Sequence, residues 1–351
     1  MPPTTETFSV GLEVEVGAIA KELKKLWEEN EGATRASLIN LAVYSEEPGS
    51  LEQNTGLIAK ITENHACRAI VIEANCDSKE NRVKAWINAH CHVGRAGAKQ
   101  ICSEQLSFRL EGGCASLLPS LVFSHLDSDL PFYLWWQSPL HDPMDAQLWA
   151  WVDRFIYDSQ AWKNFGEQFR LVETAQQEAR QRIVLCDLNW TRLDKIRYAI
   201  AQFFDHPASH HHFSKMQSVT VDFGKGFKST AILLIGWLAA QLDWKTNQPA
   251  LNGSCRFLDT NNRKIDVELR EKGDEPIGEI VVKSDQAKFS VAPAECGDLL
   301  EVWRSGGNEK SGRQMMPAQN NDLVGLMSQE LMRGGPHRVY LRAVNCVRNL
   351  L

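Results

Sequence analysis

The chain has 351 residues, 43% of them hydrophobic and 23% charged, and its formal net charge is −6. This is the composition of an ordinary globular protein rather than a disordered or fibrous one, and the length favours two domains because single cores stop growing at about 250 to 300 residues. The acidic balance argues against sequence-independent binding to nucleic acid or to an anionic membrane. Residues 1–17 lack the basic start and apolar centre of a signal peptide, so we expect a cytoplasmic protein.

Strands and helices are predicted to alternate through the first half of the chain. An amphipathic helix is predicted where Val16, Ile19, Leu23 and Leu26 recur at helical spacing. Apolar or alternating runs predict strands at 38–44, 68–74, 84–90, 105–111, 129–136 and 153–159, with helices at 57–64, at 115–123 and around Gln147. The alternation indicates an α/β domain with a mixed sheet.

The second half is predicted to begin with a long polar helix at 160–181, where we place the domain boundary. A strand at 182–190, an amphipathic helix, an antiparallel meander between 255 and 292, a polar mobile loop at 304–319 and two helices at 321–333 and 337–350 are expected to follow. The predicted fold is therefore α/β (mixed α+β) with two domains, 1–165 and 166–351. The first has a mixed sheet with flanking helices, and the second has a buried helix, an antiparallel meander and terminal helices.

The buried helix of the second domain is predicted at 231–242, within a strand, glycine turn and helix that span 218–244. It is apolar on nearly every face, so it must lie inside the protein or inside a membrane. The apolar run 231–240 rises about 15 Å, roughly half of a hydrocarbon core. We therefore predict a buried helix of a soluble protein, capped by Ser229 or Thr230.

The glycine turn before this helix is a possible anion-binding site, because helix N-termini favour negative ligands. Its residues are Gly224, Lys225, Gly226, Lys228 and Ser229. A P-loop would need glycine where Asp222 and Phe227 stand, and a dinucleotide turn would need glycine or alanine at Ser229. The alternative is a plain tight turn with solvated lysines.

No metal site or catalytic motif is indicated. His90 and His92 share one face of a predicted strand, but no third or fourth ligand follows at a recognised spacing, which favours surface histidines. The run 210–212 is interpreted as a solvated loop. The nine cysteines include no CxxC motif or close pair, so we expect reduced core residues.

Aromatic residues are a further candidate for binding. The chain has eleven tryptophans, and five of them fall between residues 135 and 162. Tryptophan and arginine are favoured anchors of protein interfaces. The alternative is that these tryptophans fill a core between the two domains.

Several segments resemble the OpcA family of glucose-6-phosphate dehydrogenase assembly proteins. They occur in order along most of the chain: HACRAIVIEA at 65–74, ICSEQLSF at 101–108, SLVFSHLDSDLPFYLWW at 120–136, DRFIYDS at 153–159, DLNWTRLDKIRYAIAQFFD at 187–205 and GWLAAQLDW at 236–244. Departures occur at Asp243, where the family often has glycine, and throughout 256–319, where no segment matches.

The resemblance implies a non-enzymatic partner protein that binds glucose-6-phosphate dehydrogenase, promotes its active oligomer and needs no cofactor. It also implies a link to thioredoxin in photosynthetic relatives, which no close cysteine pair here supports. We expect the partner-binding residues to be Trp135, Trp136, Trp190, Arg192 and Arg197. The alternative function is an enzyme or sensor that binds a sugar phosphate or a nucleotide at the glycine turn.

Overall fold

The computed structural model describes residues 9–29, 33–93, 100–141, 146–178, 183–205, 212, 215–246, 253–295, 297–306, 312–348 and 350–351. The chain forms two compact units, each assembled from separate segments. Unit 1 comprises Met1–Tyr157, Gln168–Cys186 and Leu323–Gly335, and unit 2 comprises Asp158–Glu167, Asp187–Asp322 and Pro336–Leu351. Two sheets with helices confirm the predicted α/β class.

Unit 1 contains a nine-stranded sheet with its helices. The elements, in chain order, are β1 (Leu12–Val14), a 3₁₀ turn (Val16–Ala18), α1 (Ile19–Glu28), β2 (Ala33–Arg35), β3 (Asn40–Ser45), α2 (Ser50–Thr62), β4 (Arg68–Asn75), β5 (Arg82–Val93), β6 (Gln100–Glu111), a 3₁₀ turn (Gly112–Leu117), α3 (Leu118–His125), β7 (Phe132–Trp136), α4 (Ala146–Trp149), β8 (Arg154–Tyr157), α5 (Phe165–Glu178), β9 (Val184–Asp187) and, much later, α9 (Leu323–Met332). Two of the five boundaries between the units fall within elements, one in α5 and one before the last residue of β9.

The centre of this sheet is a parallel, doubly wound arrangement. The strands lie in the order β6-β4-β3-β7-β8-β9, and β4 pairs in parallel with β6 and β3, as β7 does with β3 and β8. All six residues of β3 are buried, as expected when helices cover both faces of a parallel sheet. The chain builds outward from β3 through β4 and β6, then returns to β7 on the other side. This order is that of dinucleotide-binding folds, with a topological switch point between β3 and β7.

A disulfide joins two neighbouring strands of unit 1. Cys91 on β5 and Cys102 on β6 are directly opposite each other and are bonded. The expectation of reduced core cysteines is therefore wrong for this pair, which is bonded, and for Cys76, which is exposed. Sequence spacing hides the pair because the partners are eleven residues apart and meet only when β5 and β6 align as a hairpin.

Unit 2 is built on a seven-stranded sheet of order β11-β12-β10-β13-β14-β15-β16. Its elements are a 3₁₀ turn (Ser159–Ala161), α6 (Leu188–Thr191), α7 (Asp194–Asp205), β10 (Met216–Phe223), α8 (Lys228–Leu242), β11 (Ser254–Leu258), β12 (Lys264–Glu271), β13 (Ile280–Ser284), β14 (Ala287–Pro293), β15 (Leu299–Gly306), β16 (Gly312–Pro317) and α10 (Tyr340–Val347). Strand β10 pairs in parallel with β12, and the other neighbouring pairs are antiparallel.

Helix α8 is the buried helix predicted from the sequence. Ten of its residues are buried, and it packs on β10, β12 and α10. At Gly236 the α10 backbone comes so close that an added Cβ would lie 2.5 Å from the Ala343 carbonyl oxygen. No helix within the described ranges is long and apolar enough to cross a membrane.

Three predicted elements differ from the structure. Residues 304–319, predicted as a loop, contain the end of β15 and all of β16. Strand β16 pairs with the edge of β15, and most of its side chains stay exposed, so the sequence has no apolar alternation there. Residues 307–311 lie outside the described residues. The strand predicted at 182–190 ends at Asp187, whose carboxylate accepts the Asn189 N–H and starts α6. Helix α8 has Phe227 at its N-cap with no side-chain cap, so the caps predicted at Ser229 or Thr230 are wrong.

Candidate functional site

Two of the sequence segments that marked the family resemblance, 153–159 and 187–205, meet in unit 2 around a buried carboxylate. Asp187 accepts hydrogen bonds from the Ser159 N–H at 3.0 Å, the Ser159 hydroxyl at 2.6 Å, the Asn189 N–H at 3.0 Å and the Tyr340 hydroxyl at 2.8 Å. The Thr230 hydroxyl donates to Asn189 Oδ1 at 2.5 Å. We call Ser159, Asp187, Asn189, Thr230 and Tyr340 the Asp187 network.

The Asp187 network is closed to solvent. Asp187, Ser159, Asn189 and Thr230 have no exposed surface, and Tyr340 has 1%. Burial raises the pKa of Asp187 to about 6, while the hydrogen bonds from Ser159 and Tyr340 lower it. A carboxylate with four donors and no access to solvent cannot reach a substrate. The network therefore holds the 3₁₀ turn Ser159–Ala161, α6, α8 and α10 together.

Arg192 belongs to this interior and does not lie on an open surface. Its guanidinium makes two hydrogen bonds to Asp158, at 2.7 and 2.5 Å, and the residue is 7% exposed. Trp190 is 2% exposed and packs edge-on against Tyr340. Arg197 lies over the Trp190 ring, 3.7 Å from its centroid, with 11% of its side chain exposed.

The two predicted partner-binding tryptophans of unit 1 differ in exposure. Trp135 is 1% exposed and fills the core. Trp136 is half-buried and stacks on Tyr44, with ring centroids 4.0 Å apart. Alternation along β7 explains the difference, because successive side chains point to opposite faces. Trp136 is thus the predicted tryptophan that retains substantial exposed surface.

The glycine turn of unit 2 has both lysines exposed. Gly226 has a φ of 85°, and Gly224 lies so close to the backbone of Asp274 that a Cβ there would come within 2.7 Å. Lys225 and Lys228 are exposed at the start of α8. The turn therefore has the positive charge that an anion needs, but the acidic residue Asp274 is its immediate neighbour.

The prediction of surface histidines on this strand is wrong for His90, because its side chain points into unit 1. His90 is buried and contacts Gln105 Oε1 at 2.8 Å, and His92 lies 3.3 Å from the Thr62 hydroxyl. Residues 210 and 211 lie outside the described residues. The prediction of a solvated loop is wrong for His212, which is buried and contacts the Ser284 hydroxyl. The described part of the chain contains no group of three or more His, Cys, Asp or Glu placed to hold a metal.

The switch point of unit 1 is where a dinucleotide would bind in a fold of this order. The residues there do not fit one. The turn from β3 to α2 has Glu46 and Glu47 in place of a glycine-rich sequence. The Glu73 carboxylate accepts the Leu51 N–H at 3.0 Å, so it occupies the helix N-terminus where a pyrophosphate would lie. Arg109 Nε donates to the other oxygen of Glu73 at 2.7 Å and holds it there.

The sequence analysis did not identify Glu46 and Glu73, the acidic residues at the switch point of unit 1. The signal was present as SEEPGS, a pair of acidic residues directly after a strand of six buried residues. That these acidic residues lie at the switch point follows only from the strand order, which places β3 and the turn after it beside β7. In the sequence, Asp187 is a polar residue that follows an apolar run, and nothing nearby indicates its distant hydrogen-bond donors.

The solved structures to which the chain is compared include oxidoreductases, at low similarity. An oxidoreductase from Sinorhizobium meliloti is 11% identical with a TM-score of 0.49, covering 89% of this chain and 87% of its own. An NAD binding oxidoreductase from Klebsiella pneumoniae is 11% identical with a TM-score of 0.49, covering 90% and 96%. At this level of similarity no function can be carried over.

Two curated relatives share one name. The protein named "Putative OxPP cycle protein OpcA" from Nostoc punctiforme is 24% identical over 315 residues, which is 83% of this chain. The protein of the same name from Synechocystis is 23% identical over 319 residues, or 85% of this chain. The chain spans 66% of the length of each relative, just under two thirds.

Family models match most of the chain in two parts. Residues 58–174 match the model for the N-terminal domain of a glucose-6-phosphate dehydrogenase subunit in the OpcA family. Residues 183–344 match the model for the C-terminal domain of the same subunit. The chain therefore belongs to the OpcA family.

Proposed function

We propose that this chain binds glucose-6-phosphate dehydrogenase and promotes its active oligomer, at the start of the oxidative pentose phosphate pathway, without catalysing a reaction itself. The observation that carries the proposal is the match of 58–174 and 183–344 to the two domains of a glucose-6-phosphate dehydrogenase subunit. We place the protein in the cytoplasm, with no nucleic acid, membrane or cofactor in its action. The link to thioredoxin stays a prediction.

Two features of the structure support a non-catalytic role. The carboxylate of Asp187 is saturated by donors and closed to solvent. The dinucleotide position of unit 1 contains the carboxylates of Glu46 and Glu73. An activator needs neither a substrate pocket nor a cofactor, because it acts by binding the competent state of its partner more tightly. If an activator binds the competent state about 5.5 kcal/mol more tightly than the incompetent state, the ratio of competent to incompetent enzyme moves from 1:99 to 99:1.

Of the five predicted partner-binding residues, we propose Trp136 as the one that contacts the enzyme directly. Trp135, Trp190 and Arg192 are buried. Arg197 is largely covered by its stack on Trp190. A half-buried tryptophan at the end of a strand is a typical interface anchor, since it offers a large area with little loss of side-chain freedom.

The decisive experiment is the initial rate of the same organism's glucose-6-phosphate dehydrogenase against glucose 6-phosphate concentration, with this chain titrated in. We expect a saturable rise in rate or in apparent substrate affinity, and co-elution on a sizing column. Complex formation without a change in rate would instead indicate a scaffold. No effect on rate and no co-elution would refute the proposal.

Isothermal titration of the isolated chain with glucose 6-phosphate, NADP and ATP distinguishes the assembly role from the alternative function, an enzyme or sensor at the glycine turn. The observation that favours it is the exposure of Lys225 and Lys228 at the start of α8. Binding heat that Lys228→Ala abolishes would support the alternative. The assembly role requires no such heat.

A further inference from the structure

A pocket of about 220 Å³ opens at the carboxyl ends of β3 and β7 in unit 1. We call it the β3–β7 pocket. Its lining includes Tyr44, Glu46, Cys76, Trp136, His141 and Trp149. It lies at the switch point, the usual ligand position of a doubly wound sheet. Since Glu73 fills the neighbouring helix N-terminus, an anionic ligand is disfavoured and the occupant must have different chemistry.

The wall of the pocket is aromatic and held in place. Trp136 stacks on Tyr44 with an angle of 25° between the ring planes, and Trp149 lies against Trp136 with 6.3 Å between centroids. The indole N–H of Trp136 donates to the Pro139 carbonyl oxygen at 3.3 Å, which fixes the ring. Tyr44 and Trp149 are 4% and 2% exposed, so Trp136 is the ring that a ligand can reach. An electron-rich aromatic face of this kind attracts cations.

The polar side of the pocket is a carboxylate. Glu46 Oε1 accepts the Tyr44 hydroxyl at 2.8 Å, and Glu46 Oε2 lies 3.1 Å from His141 Nε2. Each oxygen has a further lone pair available, and a quarter of the side chain is exposed. The pocket lining contains no lysine or arginine among the described residues.

The field at this site is negative. Burial, followed by the charge of Glu46, raises the pKa of Tyr44. Burial and the charges of Glu46 and Asp77 raise the pKa of the Cys76 thiol. Burial penalises a charge of either sign, so what favours a positive group in the pocket is the nearby charge of Glu46, which contributes to both shifts.

We propose that the β3–β7 pocket receives an arginine side chain presented by a protein partner, with the guanidinium over Trp136 and its N–H groups directed at Glu46. Arginine fits better than lysine, because its planar guanidinium stacks on aromatic rings and pairs with carboxylates through two N–H groups. The identity of the partner as glucose-6-phosphate dehydrogenase rests on the proposed function, whereas the ligand chemistry of the pocket does not.

The first test uses the full chain and a small probe. Nα-acetyl-arginine methylamide is titrated into protein with ¹⁵N-labelled tryptophan, and the indole signal of Trp136, assigned with Trp136→Phe, is followed. The matched probe is Nα-acetyl-citrulline methylamide, which has the same shape without the charge. We expect a saturable shift with Kd on the order of 1 to 10 mM for arginine and at least about fivefold weaker binding of citrulline.

Two variants make this test specific. Glu46→Gln keeps an acceptor for Tyr44 but removes the charge, and we expect it to weaken arginine binding at least about fivefold. Glu47→Gln, at the exposed neighbouring position, should leave arginine binding unchanged. Equal shifts with arginine and citrulline, or no saturable shift up to about 50 mM arginine probe, which would place the affinity well below the expected range, would overturn the proposal.

The second test uses the enzyme complex. Glu46→Gln and Trp136→Ala should each weaken co-elution with glucose-6-phosphate dehydrogenase at least about tenfold, while Glu47→Gln should not. Binding of the wild-type chain with no loss in either pocket variant would overturn the pocket proposal and leave the assembly role standing. Absence of wild-type binding would refute the assembly role, and the probe titration then decides the pocket by itself.

Discussion

Replacing Asp187 by asparagine tests how the Asp187 network is stabilised. The substitution keeps the shape of the side chain and removes the ionisable group. Asparagine can place its carbonyl oxygen toward the two backbone N–H groups of Ser159 and Asn189, and its NH₂ toward the hydroxyls of Ser159 and Tyr340, which can turn to accept. We therefore expect a folded protein whose stability depends on pH differently from that of the wild type.

The sign of the effect follows from the direction of the pKa shift. Burial raises the pKa of Asp187 from 3.8 to about 6 on folding. A carboxyl group with a raised pKa contributes stability that is fully present below pH 3.8 and is lost as the pH rises through about 6. At 1.36 kcal/mol for each pH unit, the whole loss is about 3 kcal/mol, of which about 2 kcal/mol falls between about pH 4 and 7.

The measurement is urea unfolding, followed by tryptophan fluorescence at a series of pH values, for the wild type and Asp187→Asn. The free energy of unfolding of the wild type minus that of the variant should fall by about 2 kcal/mol from about pH 4 to about pH 7. Tyr340→Phe removes a hydrogen bond that lowers the pKa of Asp187, so it should extend the loss to higher pH. A difference that stays constant would show that the four donors balance burial, and one that rises with pH would show that they outweigh it; either result would refute the raised pKa.

Two further substitutions test the packing of unit 2. Arg192→Glu should lower the free energy of unfolding by about 3 to 5 kcal/mol, because it puts a carboxylate at the buried position of Arg192, beside the carboxylate of Asp158. Thermal unfolding measures this. Arg192→Lys should cost less, and an unchanged melting temperature would contradict the buried ion pair. Gly236→Ala should cost about 1 to 3 kcal/mol because its Cβ meets the Ala343 carbonyl oxygen. The matched control is Gly166→Ala, in helix α5, where the atom nearest to an added Cβ is 3.9 Å away. It should be neutral or slightly stabilising. Equal effects of Gly236→Ala and Gly166→Ala would contradict the close packing of α8 on α10.

Local patterns predicted much of the fold because they depend on neighbours in sequence. The all-round apolar composition of α8 led directly to its burial, and the alternation in β12 led directly to a strand with one exposed face. Strand β16 was missed for the opposite reason. Its side chains are mostly exposed, and its stability comes from backbone hydrogen bonds to β15 that leave no mark in the sequence.

Site residues were harder to predict because their roles depend on partners far away in the chain. Arg192 follows a tryptophan at the start of a helix, a pattern typical of an interface, yet Asp158 draws it into the interior from 34 residues away. Tyr340 reaches Asp187 across 153 residues. The acidic turn at Glu46 could be recognised in the sequence, but only the strand order shows that it faces Trp136 across a pocket.

The late position of α9 in the sequence has a consequence for how unit 1 is made. Helix α9 packs on α2, and buried Arg154 donates a hydrogen bond at 2.6 Å to the carbonyl oxygen of Arg333, 179 residues further along the chain. At about 5 to 20 residues per second, a ribosome needs about 9 to 36 s to synthesise that interval. During this time the nascent chain has α2 and Arg154 without the segment that covers them, while most of unit 2 is synthesised. Unit 1 therefore begins to fold first and is completed almost last.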